Sequence, residues 1–185
     1  ACAVGAVADD AAVALQARRY EDPWTGFSLR PPADTERVRK RLPSPRVTWT
    51  RQDAASGAVA WQLSVRAVRE MHEDIQPRAY AKALVKKLRA ESGYAISAHR
   101  VTTVAGQPAI DLRGAVPVGR GQRYCRQTWI IAASDPTGGP AEASGGPHRL
   151  LIVEITGPRD QGARLDRTLD AVLQTLRLID PAEAA

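Results

Sequence analysis

Between Val59 and Arg66 the chain alternates strictly. Val59, Trp61, Leu63 and Val65 fall on one side, and Ala60, Gln62, Ser64 and Arg66 on the other. A period of two over that length predicts a long antiparallel strand with one face buried. Val47 and Trp49 share a face in the run before it, and "DAASG" marks the turn between the two. Upstream, Phe27 and Leu29 alternate with polar residues in "TGFSLRPP" until two prolines stop them, which predicts a first strand. The segment "ADTERVRKRLPSP" reads as a connector with at most one helical turn, closed by Pro43 and Pro45.

At "QPRAYAKALVKKLRAESG" the period changes. Tyr80, Ala81, Leu84, Val85 and Leu88 form one helical stripe, with Pro77 suited to the first position and Gly93 to the stop. Lys82, Lys86, Lys87 and Arg89 take the remaining arc, which predicts a solvated face. Three strand-like runs follow, "YAISAHRVTTV", "PAIDLRGAV" and "QRYCRQTWIIAA", joined by short glycine-containing turns. In the first turn Gly106 supplies the backbone freedom and Pro108 opens the returning strand. Ala109, Ile110 and Leu112 are then expected to pack, with Asp111 and Arg113 facing outward or sideways. Gly119 and Gly121 do not open into a helix, as a phosphate loop must, and so predict a hairpin turn.

The composition of "SDPTGGPAEASGGPH" predicts a long mobile hairpin loop. "RLLIVEIT" is the last strand. The final helix places Leu165, Leu169, Val172, Leu173 and Leu176 on one face, with Asp160 as a candidate cap and Pro181 as terminator. Strands joined by short turns, plus two helices that must each bury a stripe, predict an α+β fold. The expected form is an αβα sandwich with a mainly antiparallel sheet flanked by two amphipathic helices. Residues 1–22 read as an Ala-rich, then charged, tail or loose helix, and residues 23–185 as a single domain.

Composition adds a compartment and little chemistry. The chain has 185 residues, 44% apolar and 25% charged, enough for one real core. No stretch approaches the roughly 20 apolar residues of a membrane-spanning helix. The formal charge is +6, and only Lys40, Lys82, Lys86 and Lys87 of the 26 basic residues are lysines. That excess reads as a solvated surface or as attraction to acidic partners, anionic lipid or nucleic acid. Two cysteines are too few for a disulfide scaffold and the wrong number for structural zinc. They read as unpaired thiols, Cys125 buried as a small hydrophobe, while a bridge from Cys2 would need an oxidising compartment. The opening "ACAVGAVADD" resembles the end of a secretory signal, and Cys2 after Ala1 resembles a lipoprotein processing site. The expectation is an exported, periplasmic or extracellular protein, with lipid anchoring through Cys2 an open alternative.

Two clusters carry candidate chemistry. In "MHEDI", His72, Glu73 and Asp74 are candidate metal ligands or an acid–base set. Neighbours in an extended strand point to opposite faces, so at most two of the three converge, and a full ligand set would need His99 or His148. The competing reading is a polar strand end with Asp74 as a turn or cap residue. No serine sits in a Gly-x-Ser-x-Gly elbow, and neither cysteine has a catalytic context. Catalysis, a metal and a cofactor are therefore not expected. The second cluster, "ERVRKRLP", holds Arg37, Arg39, Lys40 and Arg41, a candidate patch for phosphates or an acidic protein surface. It has no interleaved aromatic platform, so a nucleic acid is not expected, and the alternative is a solvated connector.

The order of pieces also has a family likeness. "GFSLRPP", "AVAWQLSVRAV", the helix "PRAYAKALVKKLRAESG", the hairpin "TTVAGQPAIDLRG", "RYCRQTWIIAA", "RLLIVEIT" and a last helix ending "VLQTLRLI" follow one another. This series resembles the PsbP-like superfamily over about residues 24 to 180. That superfamily includes the photosystem oxygen-evolving P subunit and small bacterial lipoproteins of the DcrB and LpqN types, and a fungal Ran-binding import factor shares the fold. The resemblance implies an αβα sandwich and a mostly non-catalytic role in binding, assembling or stabilising membrane-associated complexes. It brings no shared catalytic motif to these residues.

Overall fold

The computed structural model describes residues 12–23, 25–38, 46–71, 75–133 and 148–179. Along the chain these form β1 (Tyr20–Asp22), β2 (Phe27–Leu29), β3 (Glu36–Arg37), β4 (Arg46–Gln52), β5 (Val59–Met71) and α1 (Pro77–Ser92). Then come β6 (Ala95–Val104), β7 (Gln107–Val118), β8 (Gly121–Ala133), β9 (His148–Gly157), α2 (Gly162–Thr175) and β10 (Arg177–Leu178). The alternating strand β5 sits inside a seven-stranded sheet of order β3-β4-β5-β9-β8-β7-β6, and every neighbouring pair in it is antiparallel. A second sheet of order β1-β2-β10 lies apart from it.

The large sheet buries both faces, each for a reason legible in its alternation. On one face Ala81, Leu84 and Val85 of α1 join Ile110, Leu112, Ile131, Leu150 and Ile152. On the other, Leu165, Leu169 and Val172 of α2 join Trp61, Leu63, Val65, Leu151, Val153 and Ile155, and the small sheet adds Phe27 and Leu29. This is the expected αβα sandwich, with the small sheet sharing the layer of α2. Helix α1 runs from Pro77 to Ser92 and stops at Gly93, whose φ of 64° lets its N–H reach the Leu88 carbonyl. Between β6 and β7, Ala105 and Gly106 both have positive φ (51° and 77°), so the chain reverses in two residues.

Four expectations need correction. The segment before residue 23 is no tail from Ala12 onward, nor a helix. Leu15 bridges to Pro32, and Tyr20–Asp22 pair with β2, because Tyr20 has an aromatic surface to pack on. The connector contributes strand β3, paired with β4. Helix α2 ends at Thr175, and Arg177 and Leu178 pair with Ser28 and Phe27, so the backbone there finds a strand partner instead of another helical turn. Asp160 lies in a 3-10 turn, Arg159–Gln161, and Gln161 holds the cap position of α2 without a side-chain bond. The loop "SDPTGGPAEASGG", Cys2 and Pro181 lie outside the described residues.

Candidate functional site

The two sheets leave a cleft where their edges approach. Strand β1 is an edge of the small sheet and β3 an edge of the large one. Between them opens a cavity of about 1010 Å³, with Tyr20 and Trp49 in its floor and Arg18, Glu21, Glu36 and Arg37 among its rim. Tyr20 meets the Trp49 ring edge-on at 5.1 Å and the Phe27 ring at 6.0 Å. The Arg37 guanidinium lies over Tyr20 at 5.3 Å, a cation–π contact. Burial, then the charge of Asp22, raises the Tyr20 phenol above its ordinary pKa, so it stays a neutral donor. The Gln16 amide donates to the carbonyls of Pro32 (3.2 Å) and Thr35 (3.0 Å), which fixes the chain at one end of the cleft. The arrangement offers one half-buried aromatic ring, Tyr20, seated on the buried Trp49 and surrounded by charged groups of both signs, which suits a polar side chain or short extended segment of another molecule.

Around Arg126 the ionisable groups are committed to one another. Arg126 on β8 is 1% exposed, an unusual place for a guanidinium. Its Nε donates to Asp111 Oδ1 at 2.8 Å, and Nη2 donates to Asp111 Oδ2 (3.1 Å) and Asp170 Oδ1 (2.7 Å). Nη1 donates to the Asp166 carbonyl at 3.1 Å. Burial pulls the Arg126 pKa down, but the bonds to Asp111 and Asp170 outweigh it and the net shift is upward. Arg113 pairs with Asp166 at 3.2 Å, Arg100 with Asp111 at 3.2 Å, and the Tyr124 hydroxyl donates to Asp166. A groove of about 500 Å³ runs over this network between α2 and the β6–β7 hairpin. The network has the donor set of a structural tie between α2 and the sheet.

Sequence pattern did not single out Arg126, and it expected Asp111 to face outward or sideways. The signal was present. Tyr124, Arg126, Thr128 and Ile130 occupy one face of β8, as Ala109, Asp111 and Arg113 do of β7, and the register sets Asp111 opposite Thr128 and Arg113 opposite Arg126. A lone arginine on an inward face asks for a carboxylate nearby. Asp111 is 2% exposed, so the outward alternative is wrong, because Arg126 and Arg100 compensate its burial.

The other candidates separate. Arg37 reaches the cleft rim, whereas Arg39, Lys40 and Arg41 lie outside the described residues, as do His72, Glu73 and Asp74. His99 is exposed on β6. Among the described residues no group of three or more His, Cys, Asp or Glu side chains stands close enough to hold a metal ion. Cys125 is unpaired and fully buried on β8. Burial, then the Glu154 charge, pushes its thiol up to about 12, so it is a packed hydrophobe and no nucleophile. No described helix is long and apolar enough to cross a membrane.

Neither a protein-family model nor a curated protein matches the sequence. Solved structures do share the fold. LpqN, involved in cell envelope biogenesis of Mycobacterium tuberculosis, superposes with a TM-score of 0.61 over 89% of this chain and 91% of that one, at 16% identity. The cyanobacterial PsbP of Synechocystis sp. PCC 6803 matches at 0.55 over 95% and 98%, at 16% identity. The Saccharomyces cerevisiae Ran-binding protein Mog1p matches at 0.55 over 91% and 98%, at 9% identity. The chain therefore has the PsbP-like fold, the one its order of elements resembles. At these identities the likeness concerns the fold and does not carry an activity with it.

Proposed function

We propose that this chain is an exported, non-enzymatic accessory module that binds and stabilises a protein partner at the cell envelope. The observation that carries this reading is the cleft between the edges of β1 and β3, where the half-buried Tyr20 ring lies among Arg18, Glu21, Glu36 and Arg37. The buried ionisable groups support the non-catalytic part, since Arg126, Asp111, Asp166 and Tyr124 are engaged with one another and Cys125 is held as a neutral thiol. The envelope is suggested by the shared fold of LpqN, a protein of envelope biogenesis.

Site-specific crosslinking tests the cleft. A photoreactive residue at Arg37 is expected to capture one envelope protein in intact cells, and the same residue at Arg120, on the β7–β8 turn, is not. Arg18→Glu, in the protein that carries the photoreactive residue at position 37, should abolish that product while leaving the melting temperature in place. Equal capture from both positions, or from neither, would overturn the reading. Anchoring through Cys2 belongs to the same proposal. Cys2→Ser in the full-length gene product should move the protein from the membrane fraction to the soluble one.

A further inference from the structure

The other edge of the seven-stranded sheet is β6, and no described strand pairs with its outer side. Which of its backbone groups face outward follows from the hairpin. A two-residue turn closes on a hydrogen-bonded pair, here Val104 with Gln107, and bonded pairs then alternate with non-bonded ones. Thr103 therefore faces Pro108 at a non-bonded site, where the missing proline N–H takes nothing from β6. Thr102 and Arg100 bond inward to β7. His99, Val101 and Thr103 turn their N–H and C=O groups outward, a rail of three donor–acceptor pairs beyond the β-bulge between Ile96 and Ala98.

The rail carries little of the usual protection of an edge, with Arg100 its only Lys or Arg. His99–Val104 holds no proline, no lysine and no bulge, and Val101 is 42% exposed. It is also bordered by positive charge. Arg89 of α1 donates to the Ile96 carbonyl at 3.0 Å, so this flank of the helix is the one toward β6. Arg78, Lys82 and Lys86 lie within about 80° of arc that includes Arg89, and all four are exposed. The acidic residue of α1, Glu91, falls on the opposite flank and pairs with Lys87. On the other face of the strand stands Arg100, 62% exposed.

We propose that the outer edge of β6 is a strand-addition site for an extended, acidic segment of a partner protein. Backbone bonds to His99, Val101 and Thr103 supply the docking, and carboxylates on one side of the added strand meet Lys82, Lys86 and Arg89. A second copy of this chain fits worse, because an antiparallel β6–β6 pair would set the two basic flanks of α1 beside each other. This site is independent of the cleft at β1 and β3, and either can fail without the other.

The test uses a fluorescent peptide alternating glutamate with valine and threonine, its lysine counterpart, and the whole protein. Anisotropy should rise with the acidic peptide only, and the amides of His99, Val101 and Thr103 should gain hydrogen-exchange protection. Val101→Pro removes one outward donor and no bond to β7, so it should weaken binding about tenfold or more with little change in melting temperature. Should that variant unfold, Lys82→Glu with Lys86→Glu addresses the same point from the helix, with the same loss expected. The proposal is overturned by absence of binding, by equal binding of the lysine peptide, or by binding without protection at those three amides. A concentration-dependent dimer that Val101→Pro abolishes would overturn it in favour of self-association.

Discussion

A methyl group is enough to test how tightly β6 and β7 approach. A Cβ on Gly114 would stand 2.1 Å from the Ala95 carbonyl oxygen, a backbone atom that cannot swing away. Gly114→Ala should therefore destabilise by about 1–3 kcal/mol, whereas Gly121→Ala, with its nearest neighbour at 3.9 Å, should stay within about 0.5 kcal/mol. Urea denaturation of the pair decides it, and equal midpoints would contradict the close approach. Arg126 makes the larger demand. Removing it leaves Asp111 buried without its bidentate partner, a change that costs on the order of 3–5 kcal/mol. Arg126→Met should show that loss, and pairing it with Asp111→Leu should recover part of it. Cys125 gives a pH test. Its thiol is raised from an ordinary value of 9.0 to about 12, so its neutral form is favoured by the fold. Stability from this group is complete below pH 9 and falls as pH rises toward 12. In a Cys2→Ser background, alkylation at pH 8 should spare the native protein and modify Cys125 once denaturant is added.

Elements divide by how much of their cause is local. Helix α1 was legible to the residue because Pro77, the stripe through Leu84 and Val85, and Gly93 are neighbours in sequence and sufficient by themselves. The hairpins were legible for the same reason, since Gly106 and Gly119 state their turns with positive φ (77° and 58°). Strands β1, β3 and β10 were not, because none of them holds the alternating apolar pair that marks β2. Arg177 and Leu178 are strand only because Ser28 and Phe27 lie alongside. The candidate site suffered likewise. Arg37 was picked for its charged neighbours, while Tyr20 and Trp49, which make the cleft floor, lie far apart in sequence. At this scale the prediction concerns seating. Leu84→Ala and Leu169→Ala should each cost about 2–5 kcal/mol, since both stripes are buried against the sheet. Lys87→Ala, on the exposed arc of α1, should change stability by no more than about 0.5 kcal/mol. If Lys87→Ala proved as damaging as either leucine change, that arc would be packed against something.

At the scale of the molecule, the small sheet joins the two ends of the described chain. Strand β2 pairs with β1 from the N-terminal side and with β10 from the C-terminal side. Arg19 strengthens that closure. It donates to the carbonyl of Thr175, the last residue of α2, and to Ser28 Oγ at 3.1 Å. A cation at a helix C-terminus also meets the negative end of its dipole. Tyr20 then packs on Phe27 and Trp49, so β1 covers aromatic surface that the large sheet would otherwise present to water. Residues 12–22 are on these grounds part of the folding unit. A chain beginning at Pro23 should lose stability by several kcal/mol, through lost apolar burial and an uncapped α2. It should also bind a hydrophobic dye at the exposed Trp49 and Phe27, and it should lose any partner that docks in the cleft. Arg19→Ala separates the contributions, because it releases the tie to α2 and leaves Tyr20 in place. It should lower the melting temperature by less than the truncation does and leave dye binding low. If the truncated chain melted with the full-length protein, the first strand would be an appendage and the cleft would have only one structural wall.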